Sequence, residues 1–428
     1  MCLPNLVRLC LSEWITFLLP AVPIRSRATF IELLCGCLVS PEGWVTRCIS
    51  AIWRRKHWST YYKLLERGSI ATVPLAQALF RLVLSLLPCE VITLVIDDTL
   101  VPRSSRSAPG CAVRHDHSKK MNRPQFLLSQ CWVTLGVSVL GNAGAKLVLP
   151  MLSRLVPATG NRNKLQIALA LVRILAPLAG KPLRVLFDAW FMRARLVLPL
   201  LQRRLRVIGQ ARRDTALFLP PQPPSSPRRG RRRIYGQRLN AAAVHALPLT
   251  ELTLTLYGQE QLIRLRSVVA LARFLKATPV RAVWCQFFDQ KEHAWSTPRL
   301  LLATETELSA ETIVRLYARR WGIEPLFHNL KRWWGISNLW QQSRTTLELW
   351  MQIRCTAWCL AQLLSLAVHD AFPMQAVAPW RLKQPLTAGL VAQWLRIEFT
   401  GLAFRDGFDR KSQKFVFPQQ RNEPRLRL

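Results

Sequence analysis

The sequence predicts an α/β fold, and three observations carry that expectation. Two short apolar runs, "VITLVI" from Val91 to Ile96 and "PLRVLF" from Pro182 to Phe187, read as buried central strands. A third run, "QCWVTLGVSVL" from Gln130 to Leu140, has the same strand character. Helical stretches at Arg162 to Leu178 and Ala189 to Arg204 then alternate with the second apolar run and a short strand at Arg206 to Gln210, the order expected of an α/β core.

The flanking segments follow from their periodicity. From Arg25 to about Leu87 apolar residues recur at intervals of three and four, which predicts a helical amino-terminal domain over 1–88. Trp53, Trp58, Tyr61 and Tyr62 lie there among Arg54, Arg55, Lys56, Lys63 and Arg67, a mixture that suits DNA, although a solvated basic helix face has the same composition. The first part of the core occupies 89–213. The run "PPQPPSSPRRGRRR", Pro220 to Arg233, is a loop, because proline removes donors and the charges repel.

Beyond it Leu252, Leu254 and Leu256 alternate with threonines, a turn follows at Tyr257 to Glu260, and Ile263 and Leu265 alternate with arginines. That pattern is a β-hairpin. With further strands at Val280 to Phe288 and Arg299 to Ala303 it makes 214–308 a β-rich insertion. Residues 309–375 resume the core with a helix from Ser309 and an apolar helix from Trp350 to Val368; 376–428 form a basic, loop-rich tail.

Composition narrows the function. Sixty Lys and Arg against twenty-four Asp and Glu give a formal charge of +36, which favours a polyanionic partner. Half of the residues are hydrophobic, so the chain buries a core instead of remaining a solvated basic arm. The most apolar stretch, Val73 to Ile96, is broken by Arg81, Pro88 and Glu90, which argues against a membrane span, and no secretory leader is recognisable at the start. A cytoplasmic location is expected. Eleven cysteines are scattered without a CxxC pair, and Cys355 and Cys359 lie four apart in an apolar stretch, as packing thiols do. His115 and His117 bracket Asp116 in a polar loop without zinc-finger spacing, better suited to a phosphate-contacting edge than to a metal. Gly180-Lys181 lacks the earlier glycine of a phosphate-binding loop, and no HExxH, GxSxG or GxGxxG occurs.

The candidate chemistry rests on acids. Asp97 and Asp188 each follow an apolar strand, and in open α/β sheets ligands sit at the strands' carboxyl ends. Asp98 rivals Asp97, since successive strand side chains face opposite ways; Asp97 is favoured because it directly follows the apolar run. Each acid also has a plain structural reading, Asp188 as the cap of a helix beginning at Ala189 and Asp97-Asp98-Thr99 as a turn. In "YARRWGIEPLFHNLKRWWG", Arg320, Glu324 and Lys331 stand three, seven and fourteen residues beyond Tyr317, at roughly 300°, 340° and 320° around one helix. A surface ladder of ion pairs has the same spacing, and Pro325 predicts a kink or break near Trp321.

Tyr317-x2-Arg320-x3-Glu324-x6-Lys331 matches, in all four residues and all three spacings, the Tyr-Arg-Glu-Lys signature of bacterial insertion-sequence transposases of the DDE superfamily. "LVIDDTLVP" and the residues flanking the signature resemble that family too, in order from roughly Val91 to Lys331. The resemblance implies an RNase H-like mixed-sheet core interrupted by the β-rich insertion, with Asp97 (or Asp98), Asp188 and Glu324 as catalytic metal ligands. It also implies that Tyr317, Arg320 and Lys331 contact the DNA end. Two Mg²⁺ ions, with Mn²⁺ as the alternative, are the expected cofactor: carboxylates are the hard oxygen ligands such ions take. The expected partners are double-stranded DNA, as transposon terminal inverted repeats and target, and a second copy of the chain, because two ends must be brought together. The expected location becomes the bacterial nucleoid. Trp284 and Trp295 could stack on an unpaired base but have packing as the simpler role and are left out of the site. The rival functions are a non-catalytic DNA-binding descendant and a nuclease or resolvase on the same fold.

Overall fold

The computed structural model describes residues 3–116, 124–159, 163–222 and 232–418. Five helices open the chain: α1 (Leu3–Leu18), α2 (Arg27–Val39), α3 (Val45–Ser50), α4 (Ser59–Arg67) and α5 (Thr72–Leu86). Strand β1 (Ile92–Pro102), β2 (Cys111–His115), β3 (Phe126–Leu140), β4 (Lys146–Leu155) and helix α6 (Lys164–Leu175) follow. Next come β5 (Leu183–Phe187), α7 (Ala194–Gln202), β6 (Arg206–Ala211), β7 (Leu217–Phe218) and α8 (Ala241–His245). The strands end with β8 (Thr250–Leu256), β9 (Gln259–Ala272), β10 (Thr278–Asp289), β11 (Ala294–Trp295) and β12 (Arg299–Ala303). Helices α9 (Ala310–Ala318), α10 (Ile323–Arg332), α11 (Arg344–Ala367), α12 (Met374–Val377) and α13 (Ala388–Glu398) complete the order. It is a mixed α/β architecture of the RNase H-like kind, as the sequence suggested.

The division of the chain differs from the sequence expectation. One compact unit takes 1–89, 98–179 and 324–428, and the other takes 90–97 and 180–323. The amino-terminal helices therefore do not stand alone as a domain over 1–88.

In the first unit their apolar faces close on α11, which is buried along almost its whole length and packs on α2, α5, α13 and β4. Its one fully buried arginine, Arg354, is satisfied by carbonyls: Nε and Nη2 donate to Trp334 O at 2.8 and 2.5 Å, and Nη2 to Ser40 O at 2.9 Å. Cys355 and Cys359 are buried in the same helix, the Cys355 thiol pushed up to about 12 by burial, so both behave as small hydrophobes. The carboxy-terminal residues are likewise no loose tail: Phe399, Phe404, Phe415 and Phe417 form an aromatic cluster beside α2. Thr16 ties that cluster to α1, accepting from Phe415 N at 2.9 Å.

Also in this unit, β3 pairs antiparallel with both β2 and β4. Strand β4 went unread in the sequence because Pro150 interrupts it. The structure accommodates the proline where the register shifts between Leu135 and Gly136, an irregularity that removes the need for its missing donor. His115 lies on β2, edge-on to Phe126 at 5.1 Å, instead of in a loop; His117 falls outside the described residues.

In the second unit the start of β1 runs parallel to β5, β5 parallel to β6, and the sheet continues antiparallel through β12, β10 and β9 to β7. Strands from 214–308, the β-rich insertion, thus continue the sheet of this unit. The parallel strands are buried on both faces, which is why they read as continuous apolar runs. The hairpin of β8 and β9 turns on Tyr257 and Gly258, both left-handed (φ 55° and 79°), the two-residue geometry that matches strand twist. Arg184 and Glu305 are buried as a bidentate pair at 2.6 Å for both bonds, with Arg206 adding a third at 3.1 Å. Among the described residues no single helix is long and apolar enough to cross a membrane.

Candidate active site

Register brings two of the acids together. In the second unit Ile92 pairs with Leu183 and Val95 with Leu186, residue for residue. Continuing that register by two residues places Asp97 level with Asp188 on adjacent strands, about 5 Å apart along the backbone. Level residues of parallel strands present their side chains to one face. Asp97 is not at a strand end, however, since β1 runs on to Pro102. The turn reading of Asp97-Asp98-Thr99 is excluded for the same reason.

Alternation separates the two neighbouring aspartates. Asp97 Oδ2 accepts from Arg320 Nη1 at 2.8 Å in the second unit. Asp98, on the other face, belongs to the first unit and accepts Lys164 Nζ on both oxygens at 2.9 Å. Cys131 Sγ also donates to Asp98 at 3.3 Å, and its thiol is pushed up to about 12 by burial, with Asp98's negative charge adding to the effect. Asp98 is an anchor for α6.

Asp188 does not cap a helix at Ala189, because α7 begins only at Ala194, with Arg193 at the capping position. Its Oδ1 accepts instead from Trp190 N at 3.0 Å and Phe191 N at 3.2 Å, a local turn that fixes the carboxylate at the end of β5.

The segment from Tyr317 to Lys331 is not one helix. Helix α9 ends at Ala318, Arg319–Gly322 tighten into a 3-10 turn, and α10 starts at Ile323. Pro325 explains the break. It lacks a donor and would crowd the carbonyl four residues back, so it fits only the first turn of a new helix, where no intrahelical acceptor is needed. The single angular stripe over all four residues is therefore corrected: it holds from Glu324 to Lys331, and the 3-10 turn resets the phase before them. Within α10 Leu326, Phe327 and Leu330 are buried while Glu324 is exposed. Glu324 in the first turn and Lys331 in the last also suit the helix dipole.

Tyr317 and Arg320 join the aspartates of the second unit. Burial pushes the Tyr317 phenol well up, with the charges of Asp188 and Tyr257 adding to the shift and Arg320 opposing it, so the hydroxyl stays protonated. The Arg320 guanidinium lies 5.9 Å from the Tyr317 ring centroid. Four of the six residues named from the sequence, Asp97, Asp188, Tyr317 and Arg320, thus form one electrostatic neighbourhood. Arg320 pairs with Asp97 and offsets its charge. Tyr257 was missed by sequence reasoning. It projects from the hairpin turn, edge-on to Trp321 at 5.7 Å, and only its left-handed backbone marks it as unusual. Trp295 packs on Phe288 and under the Arg264 guanidinium at 4.0 Å.

A family model described as DDE superfamily endonuclease matches residues 18–268, more than half of the chain. The chain belongs to that family. The DDE match takes in Asp97 and Asp188 and starts at Leu18, the last residue of α1, so α2 to α5, for which the sequence offered no motif, are part of the family's common region. It ends at Val268, short of the Tyr317 to Lys331 segment. No curated protein matches the chain.

DDE endonuclease domains generally use divalent metals, and membership supports a nuclease-type function on DNA. The chemistry of Asp97 and Asp188 fits such an ion: two carboxylates, hard oxygen donors, lie level on neighbouring strands with a cation already against one of them. Among the described residues, no group of three or more His, Cys, Asp and Glu side chains is gathered to hold a metal.

Proposed function

We propose that this DDE endonuclease is a metal-dependent DNA transposase that cuts at transposon ends and joins them to target DNA. The reading is carried by Asp97 and Asp188 in one register beside Tyr317 and Arg320, the first two residues of the Tyr-Arg-Glu-Lys spacing. Glu324 completes the acidic set by its place in that spacing. Asp97, Asp188 and Glu324 would hold the divalent ions, Mg²⁺ or Mn²⁺. When bound, such ions supply the Lewis acidity that activates an attacking oxygen and stabilises a leaving one.

The chain's own residues do the rest. Lys331 provides a point charge for a DNA phosphate, and Arg320 a planar fork. The protonated Tyr317 hydroxyl offers a neutral hydrogen bond in the same neighbourhood. Asp188 is held by two backbone N–H groups, which fix its orientation. The +36 charge supplies the salt-dependent affinity for duplex DNA, to which the helices over 1–88 contribute. Two ends must meet, which calls for a homodimer on the DNA, acting at the bacterial nucleoid.

The test is Glu324→Gln on a duplex carrying the inverted repeats that flank the coding region. Mg²⁺-dependent strand cleavage should be lost while end binding is retained. Unchanged cleavage removes Glu324 from the site. A wild-type chain that binds ends and cuts nothing makes this a DNA-binding descendant, and cutting without joining makes it a nuclease.

A further inference from the structure

Helix α10 is not carried by α9, because Pro325 and the 3-10 turn at Arg319–Gly322 separate the two, so it needs its own anchorage. Leu326, Phe327 and Leu330 bury one face of it. Its far end lies within the first unit. There Trp333 N and Trp334 N both donate to Asn329 O, at 2.8 and 3.2 Å, and Gly335 turns left-handed at φ 61° to end the helix. Gly335 abuts Gly43: a Cβ on either glycine would overlap the other's backbone, so neither position accepts a larger residue.

Two arginines fasten the residues around that turn. Arg354 of α11 takes Trp334 O. Arg103, the residue after β1, donates from Nη1 to Ser337 O at 2.5 Å and from Nη2 to Ile336 O at 3.3 Å, two carbonyls of the 3-10 turn Ile336–Asn338. Its Nε donates to Gln130 Oε1 at 2.9 Å, and Gln130 Nε2 donates to Pro109 O at 2.8 Å, so β3 fixes the plane of the guanidinium. Arg103 is 8% exposed, and among the described residues no carboxylate pairs with it. Burial pushes its guanidinium down to about 10, which leaves it charged at neutral pH. A buried charge answered only by carbonyl and amide oxygens is costly, and an apolar side chain would fill the space without that cost. An apolar side chain could not hold two carbonyls of one turn in a planar fork.

We propose that Arg103 is a positioning residue: by fixing the turn behind α10 to the end of β1, it sets where α10 presents Glu324 and Lys331. The inference rests on the reading of Glu324 as a metal ligand, for which a misplacement of about 1 Å can cost about 100-fold in rate.

Hydrogen–deuterium exchange of the full chain reads the position of α10, and nicking of supercoiled plasmid over a Mg²⁺ titration reads its consequence. Arg103→Met removes the fork, and Arg103→Lys keeps the charge without it. Gln130→Met leaves the arginine and removes the acceptor of its Nε, and with Arg103→Lys it carries the test if Arg103→Met does not fold. In each variant the amides of α10 should exchange about tenfold faster while those of α11 keep wild-type protection. The Mg²⁺ concentration for half-maximal nicking should rise about tenfold, and less in Arg103→Lys. Arg396→Met, which cuts a comparable grip on Val39 O in the same unit, should leave both readings as in wild type. Unchanged exchange over α10 overturns the proposal. Faster exchange spread equally over α10 and α11, or an equal effect in Arg396→Met, makes Arg103 a general stabiliser and overturns it too. Faster exchange confined to α10 with an unchanged Mg²⁺ midpoint overturns the link to Glu324. Glu324→Gln in the same assay then separates two failures: if nicking is lost, only the positioning role falls, and if nicking is normal, the metal reading itself falls.

Discussion

Asp97→Asn and Asp98→Asn should part in the cleavage assay, although the two residues are adjacent. Asp98 holds Lys164 Nζ at 2.9 Å through both oxygens, the two side chains 16% and 25% exposed. Exposed pairs are worth at most about 1 kcal/mol and breaking a fully buried pair costs about 3–5 kcal/mol, so this half-buried one should cost about 1–2 kcal/mol when the charge is removed. Asp97 faces the other way, level with Asp188. Losing a reactive carboxylate there should lower cleavage by about 10³-fold or more, equivalent to roughly 4 kcal/mol of barrier at 1.36 kcal/mol per factor of ten. Nicking of supercoiled plasmid with Mg²⁺ reads the chemistry, and urea denaturation followed by tryptophan fluorescence reads the fold. Asp98→Asn should cut at near wild-type rate with a lowered denaturation midpoint, whereas Asp97→Asn should lose cleavage and, because it breaks the equally buried pair with Arg320, lower the midpoint as well. If Asp98→Asn abolishes nicking while Asp97→Asn cuts normally, the assignment of faces is wrong.

Three further outcomes are expected. Glu305→Gln leaves Arg184 buried without its carboxylate and should cost about 3 kcal/mol in urea denaturation, whereas Arg206→Met, at a 40% exposed side chain, should cost no more than about 1 kcal/mol; equal costs would contradict the burial argument. Lys331→Ala should weaken DNA binding and lower the slope of log affinity against log salt by about 1, and an unchanged slope means that Lys331 touches no phosphate. Tyr317 has its folded phenol pushed above the unfolded value of about 10, so its stabilising contribution is intact below that pH and is lost as pH rises further. Tyr317→Phe should flatten the fall in stability above about pH 10, and an identical alkaline profile would place the phenol in water.

The parts of the fold legible in the sequence were those whose local pattern and tertiary environment agree. Strand β5 is buried on both faces and reads as an apolar run; the β8–β9 hairpin is half-buried and reads as alternation. Strand β4 was lost because Pro150 is tolerated only through a register shift in its partner, which no local pattern encodes. The start of α7 was misplaced because Asp188 caps a three-residue turn and not the helix that follows. Domain limits were hardest. The amino-terminal helices bury their faces on α11, more than 250 residues later, and such long-range packing leaves no mark in the helices themselves. At the site, the acids after β5 and within β1 could be found from strand grammar, while strand alternation made Asp97 and Asp98 rivals and their different ion-pair partners could be seen only in the structure. The link from Arg320 to Asp97 spans 223 positions and could not be read from spacing.

That link changes what Arg320 can contribute. Two carboxylates that the β1–β5 register brings level repel one another, and a guanidinium 2.8 Å from one of them offsets part of that cost. The pair with Asp97 is therefore a reason to keep an arginine at this position independent of any phosphate. A phosphate that engages Arg320 must compete with Asp97 or share the fork with it, so the gain from that contact is a difference between two interactions. The Tyr-Arg-Glu-Lys segment consequently divides in two at the 3-10 turn: Tyr317 and Arg320 shape the charge around the paired aspartates, while Glu324 and Lys331 ride on a separate helix set by Pro325. The spacing that looks like one helical stripe is, physically, two short helices joined by a 3-10 turn.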